Sequence, residues 1–146
     1  MSENKIVTVD GIQVKDKNKK NLLEVIRKAK IDLPTFCYHS ELSVYGACRL
    51  CIVDVEGRGV MGSCSTLPEG NMTIRTQTPE LKKIRKMAIE LLLANGEHHC
   101  PTCARSNNCK LQDIAAKLGV DEIRFKAPMK KHEIDNSSKG IVRDQN

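Results

Sequence analysis

Residues 45–53 read YGACRLCIV, in which two residues separate Cys48 from Cys51. Ten residues lie between Cys37 and this pair, and twelve lie between the pair and Cys64. A 2Fe-2S cluster needs four thiolates, two for each iron. A zinc ribbon would instead offer two close pairs, and four unrelated buried thiols would need no common spacing. The pattern therefore predicts a 2Fe-2S cluster. Its candidate ligands are Cys37, Cys48, Cys51 and Cys64.

The sequence around these cysteines predicts a small mixed domain. Residues 6–14 alternate in polarity around Asp10-Gly11, which is typical of a hairpin, and Asn21 is a candidate N-cap for a helix that ends before Pro34. Strands are predicted at residues 50–55, 60–63 and 72–76. A hairpin, a helix and further strands are the order of a β-grasp domain, which we place at residues 1–77. The apolar residues expected to screen the cluster from water are Phe36, Tyr45, Leu50 and Ile52.

A small helical domain is predicted at residues 78–120. Thr78-Pro79-Glu80 begins a helix that runs to Asn95-Gly96, and a second helix runs from Lys110 to Gly119. The apolar face of the first helix is predicted as Leu81, Ile84, Ala88, Leu91 and Leu92. Residues 121–146 are predicted to be an extended tail that becomes ordered against a partner. The fold class is therefore α+β.

A second cysteine set lies between these helices. Cys100, Cys103 and Cys109 have the spacing C-x2-C-x5-C, and His98 and His99 come directly before them. Three thiolates leave one iron of a 4Fe-4S cluster without a protein ligand, and imidazole can replace the fourth thiolate. A zinc site of three cysteines and one histidine is the chemical alternative.

Two motifs carry a family resemblance. Residues 33–39, LPTFCYH, and residues 45–53 closely resemble the N-terminal ferredoxin domain of the large iron–sulfur subunit of respiratory complex I. The same domain recurs in iron-only hydrogenases, in diaphorase subunits of NAD-reducing nickel–iron hydrogenases and in NAD-linked formate dehydrogenases. The resemblance implies an electron-transfer protein.

The resemblance extends to the second cysteine set. Residues 100–103, CPTC, and 108–112, NCKLQ, resemble the family's 4Fe-4S domain, which uses one histidine and three cysteines. In complex I the histidine lies four residues before the first cysteine, where this chain has Gly96. The hydrogenase diaphorase branch resembles residues 96–100, GEHHC, with its histidine two residues before the cysteine. The resemblance implies His98, Cys100, Cys103 and Cys109 as ligands, with His99 as the rival to His98.

Composition limits the other possibilities. The chain has 146 residues and seven cysteines, an odd number, and its first residues, MSENK, lack the apolar stretch of a secretory signal. No apolar run reaches the ~18 residues of a membrane span. We therefore expect no membrane span and a reducing, cytoplasmic location.

The net charge of +6 does not indicate nucleic-acid binding, because the basic residues are spread over several segments without stacking aromatics. Two bound clusters would lower the charge to about +3. The basic helix face of Lys82, Lys83, Arg85 and Lys86 is expected to be solvated, with docking of an acidic partner as the alternative.

No nucleotide-binding or nucleophile motif is present in the sequence, so no catalytic site is predicted on this chain. The expected function is that of an electron-relay subunit in a multi-subunit NAD(P)-linked hydrogenase, an electron-bifurcating one among the options. Its partners would be a flavin- and NAD(P)-binding diaphorase subunit and a hydrogenase or formate dehydrogenase catalytic subunit. A formate dehydrogenase relay and a free ferredoxin are the alternatives. In many relatives the tail continues into further cluster domains, so a short subunit and a part of a longer polypeptide both stay open.

Overall fold

The first two strands form the predicted hairpin in the computed structural model, which describes residues 5–16, 21–96, 98–126 and 133–143. β1 (Lys5–Val9) pairs antiparallel with β2 (Ile12–Asp16). Asp10 has φ 46° and Gly11 has φ 85°, the left-handed backbone that this two-residue turn requires. The Asp-Gly pair therefore predicted the turn correctly.

Five strands make a mixed sheet in the order β2-β1-β5-β3-β4. The later strands are β3 (Ile52–Val55), β4 (Gly59–Gly62) and β5 (Met72–Arg75). β1 and β5 are parallel, whereas the other neighbouring pairs are antiparallel. Parallel neighbours need a long crossover connection, and here the chain between them contains β2, α1 (Leu22–Lys28), β3 and β4. The predicted α+β class with a β-grasp sheet is confirmed.

Helix α1 fills the core above the sheet. The Asn21 side chain accepts a hydrogen bond from the Glu24 amide at 3.1 Å, so Asn21 is the predicted N-cap. The fully buried side chains of α1 are Leu22, Leu23, Val25 and Ile26. Burial of each such side chain stabilises the fold by roughly 1.5–3 kcal/mol. Because Cys51 and Cys64 belong to the same core, α1 also supports two of the predicted ligands.

Helix α2 (Pro79–Ala94) begins at Thr78, whose side chain accepts from the Leu81 amide at 3.2 Å. Its buried face differs from the predicted one. The buried residues are Leu81, Arg85, Ile89 and Glu90. Leu91 and Leu92 are 50% and 40% exposed, so their predicted place on the apolar face was wrong. Hydropathy alone misplaced the face because two charged side chains are buried with hydrogen-bond partners.

A second, smaller core joins α2 to α3 (Lys110–Lys117) and to the loop before β3. Leu50, Ile89 and Ile114 form its buried centre, and Cys48 packs against it. Gly119, directly after the C-cap residue Leu118, has φ 62°, so the predicted glycine closure of α3 is confirmed. The two cysteine regions thus share one packed contact.

The predicted tail contains an unexpected element. β6 (Asp135–Ser138) and β7 (Ile141–Arg143) form a separate two-stranded hairpin, while residues 121–126 have no helix or strand. Residues 127–132 and 144–146 of the tail lie outside the described residues. Within the described parts of the chain, no helix is long and apolar enough to cross a membrane.

Candidate metal centres

The first four cysteines meet at one end of the β3–β4 hairpin. Cys37 and Cys48 lie on the long loop after α1, Cys51 directly precedes β3, and Cys64 follows β4. Ile52 is opposite Gly62 in the hairpin, so the chain segments that carry Cys51 and Cys64 leave the sheet side by side. The predicted first set is therefore brought together by the fold.

Hydrogen bonds fix the buried half of this set. The Ser63 amide and hydroxyl both donate to the Cys51 carbonyl, at 3.0 and 2.7 Å. The first amides of α1 bind the segment after β4 that carries Cys64. Leu23 donates to the Ser63 carbonyl at 3.1 Å, and Leu22 donates to the Thr66 carbonyl at 2.8 Å. Cys51 and Cys64 are each only 2% exposed. Their positions are thus set by the sheet and by α1 together.

Cys37 and Cys48 form the half-buried side of the set. Their sulfur atoms are 3.3 Å apart, well beyond the ~2.05 Å of a disulfide bond, and both thiols are free. The Cys48 amide donates to Cys37 Sγ at 3.3 Å, and the Phe36 amide donates to Cys48 Sγ at 3.5 Å. Amide donors of this kind stabilise a thiolate, which is the form that binds metal.

The pKa values of these thiols reflect their close approach. The pKa of Cys64 is raised to about 12. Burial is the largest cause, followed by a hydrogen bond with Cys51 and then by the charges of Cys51, Cys37 and Cys48. For Cys48, burial acts to raise the pKa, but backbone hydrogen bonds at Leu50, Phe36 and Cys37 outweigh it and the pKa is lowered. With its raised pKa, Cys64 is a neutral thiol in the metal-free protein, so metal binding must displace its proton. Four cysteine sulfurs are a donor set that fits ferric iron.

The loop geometry agrees with a compact ligand loop. Gly46 has φ 70° and Arg49 has φ 53°, which turn the chain sharply on both sides of Cys48. Leu50 and Ile52 are buried, as expected for residues that screen the site. Tyr45 is 81% exposed, so its predicted screening role was wrong. A surface loop can leave an aromatic ring in solvent when no neighbouring element covers it.

The second cysteine set lies on a more open loop. A short 3-10 helix spans Cys100–Thr102, and the Cys103 amide closes it by donating to the Cys100 carbonyl at 3.3 Å. Cys103 is exposed, whereas Cys100 and Cys109 are half-buried. Cys109 is the N-cap residue of α3, and its side chain makes no capping hydrogen bond. The Arg105 amide also donates to Cys103 Sγ, at 3.4 Å.

The two candidate histidines occupy different environments. The His98 ring lies over Gly96, with Nε2 3.2 Å from the position that a Cβ atom would take there. The His99 carbonyl accepts hydrogen bonds from the Thr102 amide and hydroxyl, at 3.0 and 3.2 Å. Both side chains are exposed. Assignment of His98 rather than His99 therefore stays a prediction.

Neither set forms a ready site for a single ion. Among the described residues, no three His, Cys, Asp or Glu side chains are arranged so that they could hold one metal ion. The ligand assignments therefore depend on the donor types and, for the first set, on their proximity.

One contact brings the two sets near each other. Lys110 directly follows Cys109, and its Nζ atom lies 5.8 Å from the centre of the Phe36 ring, next to Cys37. On the other side, Cys48 packs against the core of Leu50, Ile89 and Ile114 that links α2 and α3. Helix α3, which begins at the end of the second cysteine loop, therefore lies against the first cysteine loop.

Sequence reasoning missed the role of Arg85. Arg85 is only 2% exposed, and it donates from Nε to the Leu50 carbonyl at 3.0 Å and from Nη2 to the Ile52 carbonyl at 2.6 Å. Burial lowers its pKa, against the opposing effects of the charges on Cys51 and Asp10. Its place four residues after Leu81 and four before Ile89 was the available signal, because all three share one helix face.

A β-grasp sheet that gathers four free thiols at one end is the arrangement of ferredoxin-type iron–sulfur domains. The chain belongs to the family of 2Fe-2S iron-sulfur cluster binding domains, which matches residues 5–79. Residues 85–124 match the NADH-ubiquinone oxidoreductase-G iron-sulfur binding region. Both predicted cofactors, a 2Fe-2S and a 4Fe-4S cluster, are thereby confirmed.

Similar proteins come from two groups of oxidoreductases. The chain is 40% identical over 120 residues to the NADH-ubiquinone oxidoreductase 75 kDa subunit of Reclinomonas americana, covering 82% of this chain and 17% of that protein. It is 30% identical over 135 residues to the NAD-reducing hydrogenase HoxS subunit gamma of Cupriavidus necator, covering 92% and 57%. A solved NAD+-reducing [NiFe]-hydrogenase is similar with TM-score 0.82 and 29% identity, covering 92% of this chain and 57% of the solved one. The chain thus spans less than two thirds of these relatives. The predicted family resemblance is confirmed.

Proposed function

We propose that this chain relays single electrons as an iron–sulfur subunit of a multi-subunit NAD(P)-linked hydrogenase. The observation that carries the proposal is the meeting of four free thiols at the end of the β-grasp sheet, with a second cysteine loop packed next to them. The similarity to parts of NAD-reducing hydrogenases supports the choice of enzyme.

The first cluster would be held by four thiolates. Cys51 and Cys64 supply the buried ligands, and Cys37 and Cys48 supply the half-buried ones. The Phe36 amide donates to Cys48 Sγ and the Cys48 amide donates to Cys37 Sγ, so both half-buried sulfur atoms already have backbone donors. The described domain thus offers the donor number and type that a 2Fe-2S cluster uses.

The second cluster would be held by His98, Cys100, Cys103 and Cys109. Replacement of one thiolate by a neutral imidazole removes a negative charge and is expected to raise the reduction potential, as in Rieske centres. Rotation of the His98 ring away from Gly96 would free it for ligation, because it lies in a solvent-exposed segment. A 2Fe-2S and a 4Fe-4S cluster supply one chemistry when bound, the uptake and release of single electrons.

The protein's own residues hold the two centres near each other and shield the first one from water. Leu50 and Ile52 are buried beside the first ligand set, while Phe36 and Lys110 connect it to the N-terminus of α3. In the first set the Cys51 and Cys64 side chains are buried, whereas Cys103 of the second set is exposed to solvent. We infer that the exposed second loop lies nearer to a partner subunit than the buried pair does.

The proposed partners are a flavin- and NAD(P)-binding diaphorase subunit and a hydrogenase catalytic subunit, in the cytoplasm. The basic helix face that was expected to be solvated is smaller than predicted, because Arg85 is buried and Lys86 donates to the Gly119 carbonyl at 2.6 Å. Lys82 and Lys83 are the residues of that face that stay exposed. They are available to an acidic partner surface.

One second candidate is favoured by a specific observation. Identity of 40% to a complex I subunit is higher than the identity to the hydrogenase subunit, which favours a relay role in an NADH–quinone oxidoreductase. A formate dehydrogenase relay stays a prediction, as does electron bifurcation.

Affinity purification of the tagged chain under anaerobic conditions distinguishes these functions. A hydrogenase relay is expected to copurify with flavin and with NAD(P)-dependent hydrogen oxidation. Copurification with quinone-reducing activity supports the second candidate instead. A chain that elutes alone at about its own mass of 16.3 kDa, with both clusters and no partner, contradicts the subunit proposal.

A further inference from the structure

We propose that Arg85 is a positioning residue that also sets the reduction potential of the first centre. Its buried guanidinium holds the ligand loop around Cys51 and places a permanent positive charge beside that ligand. The inference rests on the proposed assignment of Cys51 as a cluster ligand.

Arg85 donates hydrogen bonds to the residues on both sides of Cys51 in the sequence. Nε binds the carbonyl of Leu50, one residue before Cys51, and Nη2 binds the carbonyl of Ile52, one residue after it. The partners are separated from Arg85 by 35 and 33 residues, so α2 fixes a loop that belongs to the other domain. The planar fork of the guanidinium suits two neighbouring carbonyls, which a lysine ammonium cannot bind in the same way.

The charge of Arg85 has little compensation from the protein. Within the part of the chain that the structure describes, Arg85 takes part in no ion pair. The charges that act on it are those of Cys51 and, at longer range than an ion pair, Asp10. The other buried charge of α2, Glu90, is instead paired with Arg124 at 2.7 and 3.0 Å.

The remaining basic residues of α2 cannot have the same effect. Lys82 and Lys83 are exposed, where water and salt screen their charges. Lys86 is bound to Asp121 at 3.2 Å, so a carboxylate balances it. Arg85 is only 2% exposed, and a charge in such a place acts strongly over a short distance.

The sign of the effect follows from the charge of the centre. One-electron reduction of a 2Fe-2S cluster with four thiolates changes its net charge from about −2 to about −3, with no bond formed or broken and no proton required. A fixed positive charge beside Cys51 stabilises the more negative form more strongly. Arg85 therefore raises the reduction potential.

The test is an EPR-monitored redox titration of the anaerobically purified full chain, with dithionite as the electron donor. Arg85→Met is expected to lower the equilibrium constant for one-electron reduction at least about tenfold, or about 59 mV. Arg85→Lys keeps the charge, so its equilibrium constant for reduction is expected to stay within about threefold of the wild-type value. Lys83→Met is the matched control on the exposed side of α2. At about 1 M salt, its equilibrium constant for reduction is expected to change less than about twofold.

Each outcome decides a different point. A wild-type potential in Arg85→Met, or an equal loss in Arg85→Lys, overturns the inference while the relay proposal stands. If Arg85→Met fails to bind iron, Arg85→Gln is titrated in its place, because it keeps one donor without the charge. Loss of iron in both neutral variants also overturns the role in setting the potential and leaves only structural support. Absence of a two-iron signal in the wild type refutes the proposed function itself.

Discussion

Leu50→Ala is expected to weaken both cysteine loops at once. Leu50 is fully buried between the proposed ligands Cys48 and Cys51, and it packs with Ile89 of α2 and Ile114 of α3. The substitution removes three carbon atoms, worth roughly 0.8 kcal/mol each on transfer. The cavity left behind adds to this loss, so that the total cost falls within the ~2–5 kcal/mol range of buried leucine truncations.

The assay is thermal unfolding of the iron-loaded protein, followed by circular dichroism and by the visible absorbance of the clusters. For a chain of this size, each kcal/mol lowers the midpoint by roughly 2–4 °C, so a fall of about 4–20 °C is expected. Visible absorbance of both centres should fall together with the helical signal, because the same core supports both loops.

Leu42→Ala is the matched control, since Leu42 lies on the same ligand loop but is 70% exposed. Its cost is expected to stay below about 0.5 kcal/mol, as for most surface changes. Equal midpoints for the two variants would refute the reasoning. So would loss of the two-iron absorbance alone in Leu50→Ala, because the shared core would then not connect the two regions.

Three further variants test the second centre. Cys103→Ser is expected to abolish the four-iron EPR signal and leave the two-iron signal, because Cys103 lies on the exposed second loop, and persistence of both signals would rule out its ligand role. His98→Ala is expected to remove or alter the four-iron signal while His99→Ala leaves it unchanged, and the reverse result assigns the site to His99.

Local sequence patterns predicted the parts of the fold that local chemistry determines. Asp10-Gly11 gives the turn of the first hairpin, and Asn21 and Thr78 cap α1 and α2 with their own side chains. The turn and the two caps depend on a few neighbouring residues. Cysteine spacing predicted which four thiols lie together, and the long loop after α1 brings Cys37 and Cys48 to the end of the β3–β4 hairpin that carries Cys51 and Cys64.

The features that sequence did not predict depend on distant partners. Arg85 was expected on a solvated face, yet it is buried because its hydrogen-bond acceptors are backbone carbonyls more than thirty residues away. Glu90 is buried because Arg124, 34 residues later, binds it. The hairpin of β6 and β7 contains DNSS, which lacks the apolar alternation of a typical strand. Hydropathy patterns cannot locate such contacts.

Iron and acid-labile sulfide analysis of the anaerobically purified chain, together with EPR after dithionite reduction, tests the central claim most directly. The account predicts about six irons and six sulfides per chain, with one two-iron and one four-iron signal. A colourless protein that holds zinc without sulfide, or one whose first four thiols pair as disulfides under the same handling, would contradict it.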